Sequence, residues 1–177
     1  MTTLILVRHG ETDWNRDGIW QGHGDPTLND LGRSQAAALA ERLADVEIDV
    51  LYSSDLRRAM ETAEIVGRAL GLAVSPDSGL REIDIGSWSG LTRSQIAERY
   101  PGMERLDGET NEAFDTRVID TVRRIATAHP RQRVLAITHG GVVRALDRHL
   151  LREERTVLGN CELASFRYED STFARID

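Results

Sequence analysis

The chain has 177 residues, 40% hydrophobic and 29% charged, a composition that suits one soluble domain burying roughly two thirds of its unfolded surface. Twenty-two basic against 29 acidic side chains give a net charge of −7, which argues against nucleic acid or an anionic membrane as a partner. The lone cysteine, Cys161, rules out an intramolecular disulfide and fits a reducing cytoplasm. No apolar run nears the ~20 residues of a membrane span, and Met1-Thr2-Thr3 does not read as a leader. The expectation is a cytoplasmic protein with a single domain over residues 1–177.

In chain order, Thr3 to Val7 predicts a buried strand. A glycine-rich loop follows from Gly18 to Asp25. Asn29 or Asp30 can cap a helix reaching about Ala44, with Leu39, Leu43 and Val46 at core-facing spacing. Val50-Leu51-Tyr52 is a short strand. A helix from about Asp55 to Leu70 is ended by Gly71. A small strand at Ala73-Val74 precedes an irregular segment to Gly90. Thr92 to Tyr100 is helical and stops before Pro101. Asn111 to Ala128 is a longer helix, with Phe114, Val118, Val122 and Ile125 on one face. Val134 to Ile137 is a buried strand, and Gly140 to Leu151 a helix. Leu163 to Tyr168 and Phe173 to Ile176 form a hairpin around Glu169-Asp170-Ser171. Strands alternating with helices imply a mainly parallel sheet covered on both faces, with a hairpin at its edge.

Two of the predicted strands run directly into chemistry-bearing residues. Arg8 and His9 stand at the end of the first, where open α/β sheets bind ligands. A guanidinium there can grip phosphate oxygens, and an imidazole can attack phosphorus. His139 follows the strand at Val134 to Ile137, and Gly140 opens a helix whose first amides can face an anion. The run Arg8-His9-Gly10-Glu11-Thr12-Asp13-Trp14-Asn15 closely resembles the signature of the histidine phosphatase superfamily, also called phosphoglycerate mutase-like.

Three further segments are similar to that family's motifs in the same order: Ser54 to Thr62, Leu80 to Gly90, and Thr138-His139-Gly140-Gly141. The resemblance implies an α/β fold, a three-layer α/β/α sandwich. It selects Arg58 over its neighbour Arg57 as the phosphate-binding arginine, makes Glu82 the proton donor, and brings Asn15, Gln21 and Gly22 to the phosphate or substrate.

Hydrolysis of a phosphate monoester needs cations around three equatorial oxygens, and Arg8, Arg58 and His139 are candidates. Neutral His9 supplies the in-line nucleophile. Glu82 protonates the leaving alkoxide and then deprotonates the attacking water. A carboxyl that keeps its proton near neutrality needs burial or a neighbouring anion, and bound phosphate is such an anion. The set closes without a metal or other cofactor. The expected activity is a metal-independent phosphomonoesterase of small phosphorylated metabolites, working through a phosphohistidine on His9.

Other readings use the same residues. His9, His139 and Glu82 could form a facial metal triad, but Arg8 and Arg58 would set cations beside a dication. A binding module without turnover would retain the pocket, and the complete residue set speaks against it. A cofactor-dependent phosphoglycerate mutase is the nearest alternative. Such mutases are typically longer and carry additional basic segments, whereas this chain has no lysine and has Thr12 where they usually have serine. Leu91 to Ile96 and Tyr100-Pro101 are instead similar to the small bacterial phosphatases of the group.

Bland roles are expected elsewhere. His23, His129 and His149 read as structural, with His23 in the loop after the signature, where a side chain could touch substrate. Cys161 reads as a small buried hydrophobe, and Trp14 and Trp88 as packing. Glu109 reads as a helix cap or first-turn carboxylate, and Arg144 as half of an ordinary salt bridge. The terminal hairpin leaves monomer and homodimer both open.

Overall fold

The computed structural model of the chain describes residues 1–151 and 158–176. Its elements are β1 (Thr2–Arg8), α1 (Asp13–Arg16), α2 (Asp30–Leu43), β2 (Val50–Ser53), α3 (Arg57–Leu70) and β3 (Val74–Pro76), then α4 (Arg93–Arg99), α5 (Asn111–Ala128), β4 (Arg133–Thr138), α6 (Gly140–Leu151), β5 (Leu163–Glu169) and β6 (Thr172–Arg175). The strands lie in the order β3-β2-β4-β1-β5-β6. The first four run parallel, while β5 is antiparallel to β1 and β6 to β5.

Side-chain alternation along the central strands creates the layers. Leu4 and Leu6 of β1, with Val134 and Ala136 of β4, pack on Val122 and Ile125 of α5 and Val143 and Leu146 of α6. The intervening Ile5, Val7, Leu135 and Ile137 pack on Leu39 and Leu43 of α2 and on Ala59, Ala63 and Val66 of α3. The result is a three-layer α/β/α sandwich with a mainly parallel sheet and a C-terminal hairpin edge. Leu4, Leu6, Leu135 and Ile137 are wholly shielded from water, each worth about 1.5–3 kcal/mol of apolar burial. No helix among the described residues is long and apolar enough to cross a membrane.

Local chemistry sets the boundaries. Asn29, rather than Asp30, caps α2 by accepting the Gly32 N–H. α3 starts two residues later than Asp55, whose carboxylate is instead held by Arg81 through two contacts of 2.6 Å. Gly71 ends α3 in the left-handed conformation, at φ 69°. Thr92 and Gln95 form a capping box at the start of α4. The short helix α1 is an addition to the expected elements, built on a reciprocal box between Thr12 and Asn15. β3 falls at Val74–Pro76 rather than Ala73-Val74, and the segment after it holds 3-10 turns at Ser78–Leu80 and Gly86–Trp88.

Candidate active site

The register of the parallel strands assembles the site. Arg8 of β1 lies opposite Thr138 of β4, and Ser53 of β2 lies opposite Ile137. The next residue of each strand, His9, His139 and Ser54, therefore emerges at one carboxyl edge. The His9 amide reaches the Thr138 carbonyl at 2.9 Å, and the Ser54 amide the Ile137 carbonyl at 2.9 Å. The two imidazoles are buried with centroids 5.2 Å apart.

His9 Nδ1 lies 2.7 Å from the Gly10 carbonyl oxygen. That oxygen accepts, so Nδ1 carries the proton and Nε2 keeps its lone pair. The Nε–H of Arg58 points at this lone pair from 3.2 Å. Burial and the adjacent Arg58 and Arg8 hold the His9 pKa well below the usual imidazole range, against the opposing pull of the Gly10 hydrogen bond. The ring is thus neutral at physiological pH. His139 is shifted the same way by burial, Arg58 and its histidine neighbours. Its Nε2 lies 2.8 Å from the Ser54 hydroxyl, and its buried Nδ1 has no protein partner.

Arg58 has almost no exposed surface. It donates to the carbonyls of Gly22 at 2.8 Å and Gly24 at 2.7 Å, so the glycine-rich loop fixes its orientation. Burial lowers its pKa to about 10 despite the nearby Glu82 and Asp25, which leaves the guanidinium charged. Arg8 donates to the Leu158 carbonyl at 2.7 Å.

Gly22 has φ 48°, and a Cβ there would fall 2.4 Å from Ile85 Cγ1, so only glycine lets the loop close on Arg58. Its part in the site is a carbonyl that orients Arg58. Asn15 sits at the end of the first turn of α1, its side-chain oxygen taken by Thr12. Asn160 donates from Nδ2 to the His9 carbonyl at 2.9 Å. Glu82 accepts the Gly141 N–H at 3.0 Å and the Ile83 N–H at 2.9 Å. An ion pair to arginine, the structural alternative for this carboxylate, is not formed among the described residues.

These groups converge on a cavity of about 230 Å³. Arg8, His9, Asn15, Gln21, Gly22, Arg58, Glu82 and Gly140, all singled out in the sequence, line it. His139 packs against His9 and is not among the residues that line the cavity. Ile19, Trp20, Ile83, Ile85, Gly141 and Arg144 complete the lining; Ile19 and Trp20 belong to the glycine-rich loop, and Ile83, Ile85 and Arg144 were not singled out for the site. The alternation Ile83, Ile85 beside Glu82 is the signal that could have revealed an apolar wall. Asn160 has no comparable signature, since it reaches the site from beyond α6.

The remaining expectations divide. Arg57 is exposed and Trp88 buried. Cys161 is buried, with its thiol pushed up to about 11. His129 is held between Tyr52 and Gln132. His23 contacts the Glu82 carbonyl from Nε2 at 2.9 Å, which places it behind the acid.

Two bland readings need correcting. Thr110, not Glu109, caps α5; Glu109 precedes the helix and binds Arg117 through contacts of 2.8 and 2.7 Å. Arg144 forms no salt bridge among the described residues; Asp147 on its own helix is paired with Arg175, and Asp115 of α5 with Arg148. Among the described residues, no group of three or more His, Cys, Asp or Glu is placed to hold a metal ion.

A mainly parallel α/β sandwich with two neutral histidines at its strand ends and the buried Arg58 beside them defines the class of this protein. The chain matches the histidine phosphatase superfamily (branch 1) over residues 4–175, and it belongs to that family. It is 38% identical over 162 residues to the metal-independent phosphoserine phosphatase of Arabidopsis thaliana, covering 82% of this chain and 67% of that one. It is 36% identical over 167 residues to glucosyl-3-phosphoglycerate phosphatase of Mycobacterium tuberculosis, covering 84% and 75%. Among solved structures, Bacillus stearothermophilus YhfR superposes with a TM-score of 0.92 at 31% identity, over 99% of this chain and 95% of that one.

Proposed function

We propose that the protein is a phosphatase of small phosphorylated metabolites, working through a phosphohistidine on His9. The observation that carries this is the hydrogen bond from His9 Nδ1 to the Gly10 carbonyl, which leaves the Nε2 lone pair facing Arg58. A neutral imidazole fixed in that tautomer is a nucleophile without further activation. The relatives support the activity class, since two of them are phosphoserine and glucosyl-3-phosphoglycerate phosphatases.

The proposed steps are these. The phosphoryl group of the ester binds between Arg8, Arg58 and the Gly140 end of α6, and a phosphate oxygen takes over the Arg58 Nε–H. His139 packs its ring against that of His9 and helps hold the nucleophile in place. Nε2 of His9 attacks phosphorus, the P–O ester bond breaks, and Glu82 gives its proton to the departing oxygen. Water then attacks the phosphohistidine and Glu82 takes its proton. The P–N bond breaks, and its electron pair returns to Nε2. Asn15 and Gln21 offer amides to the same oxygens. The chemistry needs no metal, and the lone pair a metal would need is the one Arg58 faces.

Phosphate release from a panel of monoesters, with and without EDTA, tests the reading in wild type and His9→Ala. Release that resists EDTA and vanishes in the variant is expected, together with an acid-labile, base-stable phosphoenzyme after rapid quench. Release that survives His9→Ala would overturn the mechanism. No release from any ester would turn the assignment to the mutase alternative.

A further inference from the structure

The glycine-rich loop is hydrogen-bonded to the segment carrying Glu82 near both ends of that segment. At the far end, Ser89 Oγ donates to the Gln21 carbonyl at 2.8 Å, and the Trp20 N–H to the Leu91 carbonyl at 2.9 Å. At the near end stands His23, with Nε2 2.9 Å from the Glu82 carbonyl oxygen. Among the described residues, this is the hydrogen bond that ties the loop to the acid itself.

The Glu82 carbonyl accepts, so Nε2 of His23 carries a proton. In the neutral ring Nδ1 then bears a lone pair, and Asp84 Oδ2, 3.9 Å away, is beyond hydrogen-bond reach. Asp84 Oδ1 is taken by the Gly86 N–H at 2.9 Å. His23 is not among the residues that line the catalytic cavity, so it acts on the site from outside it. Its two neighbours in the chain face the other way. The carbonyls of Gly22 and Gly24 accept from Arg58 at 2.8 and 2.7 Å. Three consecutive loop residues thus hold Arg58 by two carbonyls and Glu82 by one imidazole. Arg117 also donates to the Glu82 carbonyl, at 3.3 Å, but that tie runs to α5 and does not set the separation of Glu82 from Arg58.

We propose that His23 is a positioning residue for the general acid: it locks Glu82 to the loop that orients Arg58, so phosphate grip and proton donor keep one separation. This rests on the phosphatase reading. An acid works only within hydrogen-bond reach of the departing oxygen, and a misplacement of about 1 Å is costly. Residues 81–85 belong to no helix or strand, so side chains must supply the constraint that secondary structure does not. The carboxylate then completes the fixture, accepting the Ile83 N–H at 2.9 Å and the Gly141 N–H at 3.0 Å. Freeing the Glu82 carbonyl loosens both contacts.

Two substitutions separate this hydrogen bond from bulk. The amide nitrogen of glutamine falls where Nε2 is, and that of asparagine where Nδ1 is. His23→Asn should lower kcat on an alkyl phosphate about three- to tenfold, the scale of one hydrogen bond. KM should change little, because Gly22 and Gly24 still hold Arg58. The loss should be smaller on p-nitrophenyl phosphate, whose leaving group needs little protonation, and His23→Gln should recover most of it. Equal losses on the two esters, no loss on either, a change in KM alone, or a His23→Gln protein as impaired as His23→Asn would overturn the proposal.

Hydrogen exchange followed by NMR reads the same link without turnover. The Gly141 N–H lies in the first turn of α6, where no helical carbonyl accepts it, so its protection comes from Glu82. Its exchange, taken relative to the Ala136 amide of β4, should be faster in His23→Asn and return toward the wild-type rate in His23→Gln. A Gly141 amide unmoved in His23→Asn overturns the proposal, whether or not any ester is hydrolysed. If wild type hydrolyses no ester while this amide responds, the phosphatase reading fails and His23 still fixes Glu82.

Discussion

Glycine at position 141 is as much a part of the proposed acid as Glu82 itself. A Cβ at this position would fall 1.9 Å from Glu82 Oε1, so the carboxylate occupies the space a side chain would need. The Gly141 N–H holds the other oxygen at 3.0 Å. Gly141→Ala should displace Glu82 from its hydrogen bond while leaving His9, Arg58 and their partners in place. A general acid typically contributes about 10²–10⁴-fold, and it matters most for poor leaving groups. We therefore expect kcat to fall by about 10² or more on an alkyl phosphate and far less on p-nitrophenyl phosphate. Similar losses on both would show that Glu82 does not protonate the leaving group, and Glu82→Gln serves as the reference. In the sequence, His9, His139 and Arg58 are legible because each follows a strand in a recognisable run of residues. The partners that fix their state are not. Gly10 and Ser54 act through one carbonyl and one hydroxyl whose direction depends on the backbone, and Asn160 arrives from a distant segment.

Between the strands and the helices, the segment carrying Glu82 has only short 3-10 turns of its own, and α5 supplies what holds it. Arg117 donates to the carbonyls of Gly79 at 2.9 Å, Arg81 at 3.0 Å and Glu82 at 3.3 Å. The same guanidinium is gripped by Glu109 and lies 5.1 Å over the Phe114 ring. One side chain thus ties the acid-bearing segment to a helix. Arg117→Met should cost about 2–3 kcal/mol in urea unfolding, since it strands a largely buried Glu109 carboxylate and three carbonyls. Adding Glu109→Gln should recover part of that loss, and strictly additive effects would show the pair to be uncoupled. In the single variant kcat should fall on alkyl phosphates, because Glu82 loses its footing. Sequence periodicity identifies the strongly amphipathic elements well, and α5 and α6 begin and end where their patterns do. It fails where boundaries are set by side-chain competition. Asp55 reads as a helix start until Arg81 claims it, α1 is one capped turn too short to show a period, and Glu109 resembles a cap because its true partner lies eight residues on.

At the scale of the whole molecule, placing two neutral imidazoles in the interior has a cost that depends on pH. In the unfolded chain each takes up a proton near pH 6.5. In the folded chain burial and the neighbouring arginines depress both pKa values, so His9 and His139 stay neutral well below that point. Between the two values the unfolded state binds more protons than the folded state, and stability must rise with pH. Their effect is absent above about pH 7 and grows as the pH falls through 6.5, reaching about 2 kcal/mol per ring at pH 5 while the ring stays neutral. Carboxylates held by arginine, such as Asp55 beside Arg81, lose their stabilising contribution only at lower pH, so the interval from 7 to 5 isolates the histidines. Urea midpoints over that interval should drop steeply for wild type and much less for the doubly substituted His9→Asn, His139→Asn protein, whatever its stability at pH 7. Parallel pH profiles for the two proteins would mean that the rings are protonated in the fold. A protonated His9 has no lone pair at Nε2, so the same result would remove the proposed nucleophile.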